Sequence, residues 1–148
     1  KQTDSRWSSY PIGTTGGTIG TIGCTTTALA MTESYHTGTT ITPKAMAQRL
    51  SYSSSGSLYS PTYYQVEIAK SDYLSRIYSL LNQGKPVVLG AKKSNGTQHW
   101  VTVTGFNGSS SSFSASDFII NDPGSNTRTN LQQFLNAYPD IYKIVFRK

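Results

Sequence analysis

The chain contains one cysteine, Cys24, and the sequence around it favours a reactive thiol. Gly23 precedes it, and the run that follows has helical spacing, so the sulfur is predicted to lie at a helix N-terminus. Unpaired backbone amides and the positive end of the helix dipole stabilise the thiolate there, and the thiolate is the nucleophilic form. The alternative is a buried structural cysteine, which is common. A single cysteine also excludes an internal disulfide.

Two further side chains have the type and position expected of partners for such a thiol. His99 follows a predicted turn and begins a predicted strand, which presents an imidazole nitrogen at a sheet edge. A histidine there can act as the base for a thiol that a helix holds against the sheet. Asp122 follows the predicted strand 118–121 and can accept a hydrogen bond from the other ring nitrogen. Asn121 takes that role if the strand register differs by one residue, and Asn-Asp-Pro-Gly is also a plain turn signal.

No metal or cofactor site is predicted. One cysteine and two histidines, His36 and His99, would need carboxylates to complete a zinc site, and none stands at a recognisable ligand spacing. His36 lies near a predicted helix end, where a cation is favourable, so a structural role is predicted for it. The early glycines lack the pattern of a phosphate-binding loop. Chemistry by the protein's own side chains is the class that remains.

The elements that must position these residues are helices in the first half and strands in the second, which predicts an α+β class. The N-terminal segment 1–22 is interpreted as an extended loop that Trp7 and Tyr10 anchor, and 51–62 as a loop or insertion. In the first predicted helix, Ala28, Met31 and Tyr35 share one face. The predicted helices run from Cys24 to Gly38, from Thr42-Pro43 to Leu50, from Ser71 to Gly84 and over 130–137. The predicted strands are 87–91, 99–106, 118–121 and 141–147, in an antiparallel meander.

Length, composition and charge limit the architecture and the partners. A chain of 148 residues suits a single domain, 1–148, and the 14% charged content is typical of an extracellular, cell-surface or phage-associated module. The net charge of +6 favours an anionic partner, but the basic residues are dispersed. That dispersal disfavours nucleic acid and suits an anionic cell-wall polymer. No signal peptide or long apolar run is present, so no membrane span is expected, and the start at Lys1 favours a mature form or an excised domain.

Several motifs in the same order along nearly the whole chain resemble the C39-like cysteine peptidases of the papain-like superfamily. The segments that carry the resemblance are Gln2-x-Asp4-x-x-Trp7, Thr18-Ile19-Gly20 through Gly23-Cys24, Gly84-Lys85-Pro86-Val87-Val88, His99-Trp100-Val101 and Asn121-Asp122-Pro123-Gly124. The resemblance implies a papain-like fold in which N-terminal helices pack on an antiparallel sheet. It also implies that Cys24 is the nucleophile, His99 the base, Asp122 the orienting acid and Gln2 the glutamine of the oxyanion hole.

The resulting hypothesis is a monomeric cysteine hydrolase that cleaves peptide or amide bonds without a cofactor. The proposed substrate is a peptide, and bacterial cell-wall peptidoglycan in particular, as for a phage or secreted lysin. Two alternatives remain open at this stage. One is a murein hydrolase of the CHAP or NlpC/P60 type, which shares the order of cysteine before histidine. The other is a non-catalytic wall- or glycan-binding module of the same fold, which the Ser/Thr/Tyr-rich composition suggests.

Overall fold

The structure is a computed structural model that describes all residues from Lys1 to Lys148. It contains five α-helices: α1 (Ile19–Ile22), α2 (Cys24–Thr37), α3 (Pro43–Arg49), α4 (Tyr73–Asn82) and α5 (Leu131–Ala137). Its strands are β1 (Ser51–Tyr52), β2 (Leu58–Tyr59), β3 (Tyr64–Ile68), β4 (Val87–Lys92), β5 (Gln98–Phe106), β6 (Phe118–Asn121) and β7 (Asp140–Arg147). A single 3-10 turn, 115–117, precedes β6.

Five of the strands form one antiparallel sheet in the order β3-β7-β4-β5-β6, and β1 and β2 form a separate hairpin. The predicted α+β class with an antiparallel sheet is confirmed. The predicted meander holds only for β4, β5 and β6, because β7 returns to the far side of β4 instead of pairing with β6. Strand β4 is thereby the centre of the sheet, and its residues 87–91 are all buried. No helix has the length and apolar character needed to cross a membrane.

Side chains alternate along the strands and so divide the core between the two faces of the sheet. One face packs its apolar residues with those of α4 and α5, including Ile77 and Phe134. The other face packs with α2 and α3, and here Ala28 and Leu29 of α2 share a cluster with Val88. The Thr102 hydroxyl of β5 donates a hydrogen bond of 3.0 Å to the carbonyl of Ala28. This bond fixes the first turns of α2 against β5, the strand that carries His99.

Local signals in the sequence predicted both ends of α2 and the start of α3 correctly. Helix α2 begins at Cys24, and Gly38 ends it in the left-handed conformation with φ of 70°, which glycine adopts without steric cost. The Thr42 hydroxyl accepts a hydrogen bond of 3.1 Å from the Ala45 amide and so caps α3. These caps confirm the predicted ends because they depend only on neighbouring residues.

Three expectations about the N-terminal half were wrong. The segment 51–62 contains the β1–β2 hairpin instead of an irregular loop, and β3, which directly follows it, was not predicted. The segment 1–22 is not extended throughout, since α1 forms just before Cys24. Tyr35 is 63% exposed and does not share the buried face of Ala28, because α2 buries the polar residues Thr32 and Glu33 in its place.

Glu33 is the buried polar residue that joins α2 to the edge of the sheet. It is 3% exposed, and its Oε1 accepts hydrogen bonds from the Tyr64 hydroxyl at 2.8 Å and from Arg147 at 2.6 Å. Tyr64 lies on β3 and Arg147 on β7, which are paired neighbours. Burial, followed by the hydrogen bond to Glu33, raises the pKa of Tyr64, so the phenol keeps its proton and remains a donor. The carboxylate therefore replaces its lost hydration with two donors.

Replacing Glu33 by glutamine should lower the free energy of unfolding by about 2 kcal/mol, because the change leaves Arg147 without its charged partner in a mostly buried site. The matched control is Glu67→Gln, which breaks the more exposed ion pair with Arg76 and should cost less than about 1 kcal/mol. Urea unfolding followed by circular dichroism measures both. Equal losses in the two variants would contradict the role assigned to Glu33.

Candidate active site

Cys24 is the first residue of α2, and a one-residue connection between α1 and α2 holds it there. The Gly23 amide donates a hydrogen bond of 2.9 Å to the Ile19 carbonyl, which ends α1 as α2 begins. A β-carbon at position 23 would collide with that same carbonyl oxygen, so only glycine allows the two helices to follow each other so closely. The thiol is partly exposed, and it is the first side chain of the new helix. The sequence prediction for its position is therefore correct.

His99 and Asp122 lie in direct contact. Their side chains are 10% and 0% exposed, and the distance from His99 Nε2 to Asp122 Oδ1 is 2.6 Å. His99 is the second residue of β5, and Asp122 follows the last residue of β6, which pairs with β5. Because Asp122 engages Nε2, the other ring nitrogen, Nδ1, remains for the Cys24 thiol. Asn121, the alternative partner, is exposed on the same strand end.

Asp122 has two further hydrogen-bond donors. Arg128 Nε donates to its Oδ2 at 2.8 Å, and the Gly124 amide donates to its Oδ1 at 2.8 Å. With His99, three donors thus replace the water that this buried carboxylate has lost. Arg128 was not identified from the sequence, and its only signal is a lone basic residue shortly after the Asn-Asp-Pro-Gly turn. The turn brings Arg128 back to the Asp122 carboxylate. The geometry of that turn cannot be predicted from a single basic residue in the sequence.

The pKa values of both members of the pair are shifted in the direction of charge separation. Burial lowers the pKa of His99, but hydrogen bonds with Asp122 and with Cys24 outweigh burial and raise it to about 9. Burial raises the pKa of Asp122, and the bonds from His99 and Arg128 overcome this and lower it below its ordinary value. His99 is thus an imidazolium at neutral pH. Its charge stabilises the fold fully below pH 6.5, and this stabilisation is lost as the pH rises through about 9.

The imidazole ring is held by packing as well as by Asp122. The rings of Phe134 and Tyr138 lie 6.1 and 5.4 Å from it, centroid to centroid, and both belong to the α5 region. A β-carbon at Gly124 would come within 3.2 Å of His99 Nε2, so a glycine there lets the turn close over the ring. These contacts leave the ring little freedom to rotate about its side-chain bonds.

Gln2 lies next to the residues that precede Cys24. Its backbone amide donates a hydrogen bond of 3.0 Å to the Pro123 carbonyl, and its side-chain Nε2 donates one of 3.3 Å to the Gly20 carbonyl. Its Oε1 is buried without a partner. The Lys1 ammonium donates to the Asp122 carbonyl. The N-terminal segment thus connects the turn after β6 to α1, but the role of Gln2 at an oxyanion remains a prediction.

The second histidine takes no part in this cluster. His36 is exposed in the last turn of α2, about 18 Å along the helix axis from Cys24 at 1.5 Å per residue. No group of three or more histidine, cysteine or acidic side chains in the structure has an arrangement that could hold a metal ion.

A cleft of about 590 Å³ opens beside Cys24 on the opposite face of the sheet from the His99 ring. Trp100 forms part of its wall and lies flat over Gly90, where any β-carbon would strike the indole ring. Trp100 follows His99 on β5, so its ring points to the opposite face of the sheet, where it lines the cleft and packs against the core cluster of Leu29 and Val88. The β1–β2 hairpin forms the facing wall with Tyr52 and Leu58. The reacting thiol therefore borders a space large enough for several residues of an extended peptide.

Comparison with known proteins gives one match. A family model described as the Peptidase_C39 like family matches residues 6–145, nearly the whole chain. No curated protein and no solved structure matches it.

Replacing Asp122 by asparagine should lower the pKa of His99 from about 9 toward 6.5, since the change removes the charge that holds the imidazolium. Titration of the His99 ring by NMR in the variant and in the unaltered protein measures this shift directly. A His99 titration that does not move would contradict the electrostatic role of Asp122.

Proposed function

We propose a catalytic role for a chain that belongs to the C39-like peptidase family, whose model spans residues 6–145. Membership of this family indicates a peptidase. The proposal is that it is a cysteine peptidase in which Cys24 is the nucleophile, His99 the acid and base, and Asp122 the residue that orients the imidazole. The observation that carries it is the contact of a buried carboxylate with His99 Nε2 at 2.6 Å beside the only thiol of the chain.

The chemistry follows from the charges of the pair. The Cys24 thiolate attacks the carbonyl carbon of the scissile bond, and the negative charge moves to the carbonyl oxygen. The imidazolium then gives its Nδ1 proton to the leaving nitrogen as the C–N bond breaks, which leaves a thioester. A water molecule, deprotonated by His99, attacks the thioester and restores the thiolate. Asp122 keeps its negative charge throughout and holds the ring in place.

The oxyanion requires donors at the start of α2. The Cys24 backbone amide is free for this purpose at the first position of the helix. Gln2 is the proposed second donor, on the basis of its position beside Gly20. Its Nε2 bond to Gly20 is long at 3.3 Å, so the amide can turn toward a bound carbonyl at small cost. The papain-like arrangement of helices on a sheet, acting as a monomer, is part of the same proposal.

We propose bacterial cell-wall peptides as the substrate and the cell exterior as the place of action. The support is compositional: the net charge is +6 with few charged residues, and an anionic wall polymer would concentrate such a protein by diffuse attraction. Incubation with purified Gram-positive peptidoglycan, followed by mass spectrometry of the released fragments, tests the substrate and reports the bond cleaved. Intact peptidoglycan after incubation with a protein whose thiol is reactive would reject this substrate while leaving the peptidase proposal in place.

Cys24 should react with iodoacetamide at neutral pH roughly tenfold or more faster in the folded protein than in the urea-unfolded chain, because His99 holds the thiolate. It should also be labelled by the epoxide E-64, one equivalent per chain by intact mass. His99→Ala should remove the rate enhancement, and Cys24→Ala should take no label and show no hydrolysis. A folded thiol that reacts no faster than the unfolded one would contradict the catalytic role.

A further inference from the structure

Apart from Cys24 itself, the charged side chains that line the cleft are all positive. Lys92 and Lys143 are the charged residues that line it, and no aspartate or glutamate does. Neither lysine forms an ion pair within the chain, although the protein has five such pairs elsewhere. Asp140 lies directly opposite Lys92 in the sheet, but it neither pairs with the lysine nor lines the cleft. Two ammonium groups therefore face the cleft without a counter-ion.

An irregularity in the sheet places one of these lysines beside an aromatic ring. The pairing of β4 with β7 shifts between Gly90 and Ala91, which leaves Tyr142 as an extra residue in β7. Such a bulge lets two consecutive residues, here Tyr142 and Lys143, turn to the same side. Both line the cleft. The ammonium groups of Lys92 and Lys143 lie 4.5 and 5.7 Å from the centroid of the Tyr142 ring.

Lys92, Tyr142 and Lys143 line the same cleft as the reacting sulfur of Cys24. The pKa of Tyr142 is raised to about 12, first by burial and then by the negative charge of a Cys24 thiolate, against a hydrogen bond with Trp100 that lowers it. The phenol also donates a hydrogen bond to Gln98, the residue before His99. A group bound between the two lysines would thus lie a short distance along a peptide from the carbon that Cys24 attacks.

The floor of the cleft between the lysines and the thiol is apolar. Leu29, Val88 and Val145 line it and belong to the same core cluster. An ion pair over an apolar surface is screened less than one in open water, so a carboxylate gains more here than on an ordinary protein surface. The two ammonium groups also repel any further cation. The chemistry of the site selects an organic anion attached to an extended chain.

We propose that Lys92 and Lys143, held around Tyr142, form a carboxylate-binding subsite that makes this protein selective for acidic peptides. The inference deepens the proposed function, on which it rests, by naming the substrate class. The carboxylate comes either from an acidic side chain near the scissile bond or from a free chain terminus. Both present the same group to the lysines, and the two sources differ in the pattern of cleavage.

The test for selectivity uses a synthetic peptide library in which each position is Glu, Gln or Lys, supplied with a free C-terminus and as the C-terminal amide. We expect cleavage to favour Glu at a fixed distance from the cut, by roughly three- to fivefold for each lysine, as for a partly exposed ion pair. Lys92→Met and Lys143→Met should each reduce the preference, and Lys92→Glu should shift it to Lys.

The control is Lys44→Met, which removes an exposed lysine that lies over Tyr10 outside the cleft. If cleavage requires a free C-terminus but no Glu at any position, the bound carboxylate is the chain terminus. If cleavage is equal for peptides with and without Glu and with and without a free C-terminus, the subsite proposal is overturned.

A second measurement does not depend on hydrolysis. The rate of Cys24 alkylation by anionic iodoacetate is compared with that by neutral iodoacetamide at low salt. Loss of either lysine should lower the ratio of the two rates by roughly threefold, and Lys44→Met should leave it unchanged. A lowered ratio without cleavage of any peptide would support the anion subsite and reject the peptidase proposal. An unchanged ratio in the lysine variants overturns the subsite even if peptides are cleaved.

Discussion

The structure around the candidate site depends on one buried carboxylate. Asp122 is 2% exposed and keeps its charge because the His99 ring, the Arg128 guanidinium and the Gly124 amide all donate to it. Each donor belongs to a different part of the site: strand β5, the segment after the turn, and the turn itself. An unpaired charge at this position would cost several kcal/mol. The need to satisfy it therefore fixes the relative positions of β5, β6 and the residues after β6.

Strand β5 contributes side chains to both faces of the sheet at the site. His99 and Trp100 are neighbours on β5, so their side chains point to opposite faces. His99 is fixed from the side of α5, while Trp100 shapes the cleft on the side of α2. Cys24 reaches the ring from the first turn of α2, which the bond between Thr102 and the Ala28 carbonyl holds on β5. Rigid contacts on both sides therefore set the geometry between thiol and imidazole, as catalysis by a fixed pair of groups requires.

The sequence was sufficient where the determining contacts are local or periodic. Cys24 at a helix start, the cap at Thr42 and the strands β4 to β7 followed from neighbouring residues and from apolar periodicity. The contact between His99 and Asp122 was predicted from strand ends and a family resemblance. Strand β3 was missed although Tyr64, Val66 and Ile68 alternate with polar residues, because the run is only five residues long and directly follows the Ser/Tyr-rich segment 51–62. Arg128 and the bulge at Tyr142 were missed because a turn and a register shift, neither of which leaves a compositional signal, bring them to the site.

The order of strands in the sheet determines when the protein can complete its folding during synthesis. Strand β7 lies between β3 and β4, although both precede it by a long stretch of chain. The sheet cannot close until residues 140–147 have emerged from the ribosome, and joining such distant segments is slow compared with helix formation. Helix α2 can form long before that, but β7 supplies Tyr142, Lys143 and the floor residue Val145. Nascent chains thus carry the thiol before the cleft is complete. The full binding surface forms only after the last strand has been translated.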